Sequence, residues 1–197
     1  MKKTTLNPIS QPRTREGLSA LIYAEINKNG NQCDLNHIDV SLITDFSKLF
    51  YGSKFNGEIS KWNVRAENMY RMFSGSEFNG DISAWDVSES VNMASMFENS
   101  IFNRDISGWD VSSVRLIDEM FTKSNFESDI SGWNLFSVLS SENMFFNSGI
   151  AKKIGTENPS FDQVKSHFLG LKLELDLKDA SLGQCNLGRG DLGKVRL

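Results

Sequence analysis

The chain has 197 residues and a mass of 22.2 kDa, which is enough for one domain of ordinary size or a short repeat array. With 39% hydrophobic residues and only 3 Pro, it can form a packed core and lacks the composition of a disordered chain. The 2 Cys and 2 His are scattered along the sequence, which excludes a disulfide scaffold and a zinc site.

Charge is unevenly distributed along the chain, although the net charge is only -4. Residues 31–150 carry 8 basic and 17 acidic side chains, whereas the flanking segments are slightly basic. A nucleic-acid-binding protein gathers Lys and Arg on one face. The sequence therefore predicts no nucleic-acid partner, and the acidic middle is either a solvated surface or a surface for a protein with a basic patch.

The first predicted element is a short amphipathic helix between Thr14, a plausible N-cap, and Gly30, a plausible stop. The preceding residues, MKKTTLNPISQP, are polar and contain two Pro where a signal peptide needs an apolar core. The apolar stretch of the helix, LSALIYAEI, is too short to span a bilayer. We therefore expect neither a cleaved signal peptide nor a membrane span.

A repeat occupies the middle of the chain. The segments FNGEISKWNV (55–64), FNGDISAWDV (78–87), FNRDISGWDV (102–111) and FESDISGWNL (126–135) recur at intervals of 23, 24 and 24 residues. A second signature, such as NMASMF ending at Phe97, follows each of them. A degenerate first copy, HIDVSLITDFSKLF, has Ile38 where the other copies have Trp. Repeats at such a period predict units that stack on one another.

The two halves of each unit have different apolar periods. Trp62 and Val64 alternate with a polar residue, which predicts a short strand. Met93, Met96 and Phe97 share one face of a helical turn, which predicts a short helix or 3₁₀ segment. The predicted fold class is therefore an α/β repeat solenoid of the leucine-rich-repeat-like kind, with a strand and a short helix in each ~24-residue unit and a cap at both ends.

These motifs resemble the BspA-type leucine-rich repeats of bacterial surface proteins, whose units have the pattern FNxDISxWDVSxVxxMxxMF. The resemblance covers about residues 34–150 and implies a leucine-rich-repeat-like fold used for protein recognition and adhesion. It divides the chain into a polar tail with an N-terminal capping helix (1–33), a repeat region (34–151) and a C-terminal region (152–197).

The C-terminal region begins with a helix signal, Asn158 as N-cap followed by Pro159, which predicts a capping helix over residues 159–169 that ends at Gly170. After it, Leu recurs every fifth residue from Leu177, and the segments ASLGQ, CNLGR and GDLGK resemble pentapeptide repeats. This run predicts either a pentapeptide-like β segment or a simpler β-rich cap over the last unit.

Recurring polar residues are the candidates for chemistry. Asp81, Asp105 and Asp129 precede the Ile position of successive units, but a residue that recurs in every unit is expected to bind turn amides rather than to catalyse. No Gly-spaced calcium loop is present in the sequence. His37 and His167 stand alone, without a nearby cluster of metal ligands. We therefore expect no enzyme activity, no cofactor and no metal.

The predicted binding surface is the outward side of the strands, whose residues are least constrained by the repeat. The small residues Ala84, Gly108 and Gly132 would leave a flat strip, with Asp86 and Asp110 as acidic contacts. Phe136 would be an apolar anchor or would pack under the C-terminal cap. The full set of predicted binding residues is Lys61, Asn63, Arg65, Asp86, Ser88, Asp110, Ser112, Asn134 and Phe136.

The sequence thus predicts a non-enzymatic protein-interaction module of bacterial type, such as a secreted effector that binds a host or bacterial protein. The alternatives are a bacterial surface adhesion protein and an enzyme with a site at an end of the repeat region. The polar tail from Met1 to Gln11 is similar to the uncleaved leaders of type III secretion effectors. We expect the protein either in the bacterial cytoplasm or secreted into a host cell without a signal peptide; the sequence leaves its oligomeric state open.

Overall fold

The structure is a computed structural model that describes residues 11–184. The helices it contains are α1 (Arg15–Asn29), α2 (Gly149–Ile154) and α3 (Phe161–Gln184); α1 precedes the repeats, α2 begins at their C-terminal end and α3 follows them. Within the described residues there is no strand; isolated parallel β-bridges are the only β structure. The expected tail and part of the expected pentapeptide-like run, residues 1–10 and 185–197, lie outside the described residues.

Helix α1 confirms the first predicted element. The hydroxyl of Thr14 accepts a hydrogen bond from the N–H of Gly17 at 3.1 Å, and Gly30 ends the helix with a φ of 84°, a conformation that glycine adopts without strain. Leu18 and Ile22 are buried against the first unit. The helix therefore covers the start of the core.

The predicted α/β repeat solenoid is wrong, because the units contain neither a strand nor a helix. The Trp-containing segments do not pair with one another. Instead the N–H of each Trp closes a turn onto the Ile three residues earlier, as Trp109 does onto Ile106 at 3.1 Å. The alternation of apolar and polar residues there reflects burial on one side of a chain of turns.

The predicted helical turn fails for a different reason. Ser95 lies in the middle of NMASMF with a φ of 53°, and the equivalent residues Arg71 and Glu119 have φ of 55°. A left-handed residue at this position interrupts the run of α-helical dihedral angles that a helix needs. The spacing of Met93, Met96 and Phe97 is therefore satisfied by consecutive turns that bury all three side chains.

Successive units are joined by hydrogen bonds of the second signature. One column of parallel bridges runs through the units, pairing Asp45 with Asn68, then Asn92, Leu116 and Ser140 in turn. Beyond each bridge, every second N–H donates to the next unit while the N–H groups between them close turns within their own unit. This ladder keeps the copies in register at the spacing of the sequence repeat.

The core between the units consists of aromatic files. The rings of Phe50, Phe73, Phe97, Phe121 and Phe145 lie 5.4 to 6.0 Å apart in one file. A second file contains Phe55, Phe78, Phe102 and Phe126. The indole N–H of each Trp donates to a carbonyl of the preceding unit at 2.9 to 3.2 Å. Each of the four buried Trp side chains thus has a hydrogen-bond partner in the preceding unit.

The C-terminal region differs from the prediction in its extent. Helix α3 begins at Phe161, after a capping box in which Ser160 and Gln163 exchange hydrogen bonds of 2.8 and 3.2 Å, and not at an Asn158 N-cap. It continues through Gly170 to Gln184, so the expected β structure over residues 171–184 is wrong. No helix of the described part has the length and apolar character needed to cross a membrane.

Candidate binding surface

The predicted binding residues lie on one series of exposed turns. We call this surface the outer face and define it by the exposed side chains of four equivalent segments, 58–65, 81–88, 105–112 and 129–136. Seven of the nine predicted binding residues are exposed, and the other two, Ser88 and Ser112, are half-buried. Ala84, Gly108 and Gly132 are exposed as well. The predicted face therefore exists, although turns and not strands present it.

Turn hydrogen bonds hold the aspartates of the outer face. Asp86 accepts the backbone N–H of Ser88 at 3.1 Å and its hydroxyl at 2.6 Å. Asp110 accepts the N–H of Ser112 at 3.0 Å, and Asn134 takes the same role toward Phe136 at 3.1 Å. The carboxylates of the second acidic position accept the N–H of the residue two positions later in the same way; these residues are Asp81, Asp105 and Asp129. The prediction that these residues bind turn amides is confirmed.

These hydrogen bonds stabilise the charged carboxylates. Bonds from Ser88 and Ser112 lower the pKa of Asp86 and of Asp110 respectively. Bonds from Ser83 and Ser107 lower the pKa of Asp81 and Asp105. Burial acts to raise the pKa of Asp129, but bonds from Ser131 and the Lys172 ammonium outweigh it, and the pKa of Asp129 is also lowered. The outer face therefore stays negatively charged at neutral pH.

The lowered pKa values predict how stability responds to acid. Each carboxylate has a lower pKa folded than unfolded, so its contribution is complete above the unfolded value of about 3.9 and is lost as pH falls through the folded value. We expect the melting temperature to be nearly constant between about pH 5 and 7 and to fall below about pH 4. Thermal unfolding followed by circular dichroism over this range measures it, and stability that rises on acidification below about pH 4 would contradict it.

A groove of about 480 Å³ lies at the C-terminal end of the outer face. Asp105, Asp129 and Gly132 line one side, and Phe168 and Lys172 of α3 line the other. Lys172 forms an ion pair with Asp129 at 3.0 Å. Lys153, at the edge of the groove, lies 3.7 Å from Glu127. Both bases in the groove are therefore paired with acids of the last units.

Phe136 is the most exposed large apolar side chain of the described residues, with 95% of its surface accessible. The expectation that it packs under the C-terminal cap is wrong, because α3 does not reach over its ring. Leu139, three residues later, is also exposed, at 74%. Exposed aromatic groups of this size are uncommon outside interaction sites.

The sequence did not reveal the contribution of α3 to this surface. The predicted helix ended at residue 169, and the residue that meets Asp129 is Lys172. The sequence did contain a signal that the helix continues: no Pro follows Gly170, and a lone Gly weakens a helix without ending it.

Neither histidine belongs to the groove. His37 lies 3.8 Å from Glu25 of α1, and the His167 ring packs edge-on against Phe168. Among residues 11–184 no group of three or more His, Cys, Asp or Glu side chains could hold a metal ion.

Comparison with known protein families gives a match that covers most of the chain. The family model described as "Mycoplasma protein of unknown function, DUF285" matches residues 20–123 and again residues 65–158. These two overlapping matches cover residues 20–158, which contain the last ten residues of helix α1 and all the repeats. The chain has no significant match among curated proteins or solved structures.

Proposed function

This chain belongs to the DUF285 family of unknown function, and from that premise we propose that its outer face binds a protein with a basic patch. The resemblance of the repeats to BspA-type units, which are associated with protein recognition, supports an interaction role. The observation that carries the proposal is the combination of an acidic strip of small residues with a nearly fully exposed Phe136.

The charges of the outer face favour a basic partner. Five aspartates with lowered pKa lie on it, in two columns that follow the repeat. Neighbouring carboxylates repel one another. The charge of Asp110 acts to raise the pKa of Asp86, and the charge of Asp129 acts to raise the pKa of Asp105. A cationic partner would relieve this repulsion and would be attracted from a distance at low salt.

The shape of the outer face favours a protein as the partner. Ala84, Gly108 and Gly132 project no long side chain, so a polypeptide can approach the turns closely. Among residues 11–184, no atom beyond the adjacent residues lies within 4 Å of a Cβ added at Gly108 or Gly132. Phe136 stands at the end of this strip and would fill an apolar pocket of the partner, as aromatic anchors do in protein interfaces.

One double variant and one single variant separate the contribution of the outer face to binding from its structural role. Asp86→Asn with Asp110→Asn removes both charges and keeps a side-chain oxygen to accept the turn N–H, as Asn134 does in the last unit. We expect this double variant to fold normally and to bind about fivefold more weakly, because each exposed charge contributes little. Phe136→Ala should weaken binding by about tenfold or more without loss of stability.

The measurement is the affinity of peptides selected from a displayed random library on the wild-type protein. We expect the selected peptides to be rich in Lys and Arg and to bind less tightly at higher salt. Asp162→Asn with Glu174→Gln, both exposed on α3, is the matched control that removes two charges elsewhere and should leave affinity unchanged. Selected peptides that bind all variants equally would contradict the proposal.

A further inference from the structure

Beyond each bridge, the hydrogen bonds of the ladder run in one direction, from N–H groups of one unit to carbonyl groups of the next. The last unit therefore has N–H groups with no following unit to accept from them. In the third unit, the N–H groups of Met93, Ser95, Phe97 and Asn99 donate to carbonyls of the next unit at 2.7 to 2.9 Å. Ile117, Glu119, Phe121 and Lys123 repeat the pattern one unit further on. Each unit therefore offers four N–H groups, two residues apart, toward its C-terminal neighbour.

The last unit has no neighbour of the same kind. Its equivalent residues are Ser141, Asn143, Phe145 and Asn147. The N–H of Asn147 donates to the carbonyl of Glu157 at 2.7 Å. The other three N–H groups meet no acceptor among residues 11–184. We call these three groups the open end of the ladder.

A cavity lies where the next unit would lie. It has a volume of about 320 Å³ and is bounded on one side by the last unit and on the other by the start of α3. Its lining contains no charged side chain; its residues are Ser141, Asn143, Met144, Phe145, Asn158, Pro159, Ser160, Phe161 and Gln163. Since a water molecule takes about 30 Å³ of liquid volume, the cavity has space for a short piece of main chain.

We propose that the open end binds a short segment of a partner polypeptide in the turn conformation of the second signature, which adds the missing rungs of the ladder. The segment would present carbonyl groups two residues apart to Ser141, Asn143 and Phe145. Its side chains would be uncharged, because the lining is uncharged and contains the apolar groups of Met144 and Phe161. Strand addition to an exposed edge works on the same principle, with main-chain hydrogen bonds supplying affinity.

Two observations support this occupant. The rung between Asn147 and Glu157 shows that a non-repeat main chain can accept from this edge. The repeats themselves show which sequence fits, because the carbonyls of Asn92, Ala94 and Met96 accept from the preceding unit at 2.8 to 3.0 Å. The three N–H groups have no acceptor among residues 11–184, so carbonyl groups of a partner would add hydrogen bonds that stabilise the bound form.

This site is separate from the outer face, and its test does not depend on the first proposal. The probe is a synthetic peptide with capped ends and the sequence of residues 91–97, Val-Asn-Met-Ala-Ser-Met-Phe, followed by two Lys for solubility. Titration into ¹⁵N-labelled full-length protein, followed by amide NMR spectra and hydrogen exchange, reports on each N–H group. We expect the amides of Ser141, Asn143 and Phe145 to shift and to exchange about tenfold more slowly.

A substitution tests the donors directly. Ser141→Pro deletes one of the three N–H groups, which makes no hydrogen bond within the described residues, and the preceding Ser140 forms a β-bridge, a conformation compatible with a following Pro. We expect it to weaken peptide binding about tenfold. Asp86→Asn with Asp110→Asn is the control that should bind the peptide like the wild type.

Three results would overturn the proposal. The first is no binding of the peptide at millimolar concentration. The second is binding that protects other amides than these three. The third is slow exchange of Ser141, Asn143 and Phe145 in the free protein, since this would show that the donors are already paired.

Discussion

Phe97→Ala should destabilise the protein by about 3–5 kcal/mol, the usual range for removal of a fully buried Phe. The ring of Phe97 is inaccessible to solvent and stacks between Phe73 and Phe121, at 5.7 and 5.8 Å. It also lies 4.2 Å from Phe102 of the second file. Its loss opens a cavity in the middle of both files, where neighbours on either side are fixed by the ladder.

Urea denaturation followed by Trp fluorescence measures this effect, since the Trp109 ring lies 6.4 Å from Phe97. Because domains are stable by about 5–15 kcal/mol, the variant should unfold at a much lower urea concentration. Phe136→Ala is the matched control, with the same atoms removed from a side chain that is 95% exposed. A loss below about 1 kcal/mol for Phe97→Ala would show that the files carry little of the stability.

The sequence was sufficient to predict features that depend on local chemistry. Helix α1 ends at the residues expected, because Thr14 and Gly30 are strong cap residues in any context. The Asp positions serve turns because Asp accepts a backbone N–H two residues later from its own segment. Apolar positions of the repeat are buried as predicted, including Trp85, Met93 and Phe97.

The secondary structure of the units was not predictable from the same patterns. Alternation and i, i+3, i+4 spacing report which side chains are buried, and chains of turns can satisfy both periods. The decisive feature is the backbone conformation. Ser95 has a φ of 53°, a value that serine seldom adopts. Inter-unit hydrogen bonds fix that conformation, and a local pattern contains no information about them.

The candidate surface was predictable in part. Exposure of Asp86, Asp110 and Phe136 follows from their place between buried positions. The groove depends on Lys172 reaching Asp129, a contact between residues 43 positions apart that follows from the path of α3. The open end of the ladder depends on the direction of backbone hydrogen bonds, which side-chain patterns do not encode.

Gly57 packs directly against the main chain of Cys33. A Cβ built at Gly57 would lie 2.0 Å from the carbonyl oxygen of Cys33, which itself accepts the N–H of Glu58 at 3.1 Å. The equivalent residue of the next unit, Gly80, would place a Cβ 2.8 Å from the ring of Phe78 and 3.4 Å from the nearest backbone atom. Later units have Arg104 and Ser128 at this position, so this position of the unit needs glycine only at the start of the repeats.

Gly57→Ala should therefore destabilise the protein by about 3 kcal/mol, because backbone and not a flexible side chain must move to admit the methyl group. Residues 31–35 would separate from the first full unit, breaking the bridge between Asp34 and Glu58. Gly108→Ala is the control, since no described atom beyond the adjacent residues lies within 4 Å of its added Cβ, and it should change stability by less than about 0.5 kcal/mol. Urea midpoints of the two variants measure the difference, and amide exchange at Leu35, whose N–H donates to Glu58, should be faster in Gly57→Ala alone. Equal midpoints for Gly57→Ala and Gly108→Ala would show that the first unit adjusts freely and that the contact with Cys33 is not a constraint.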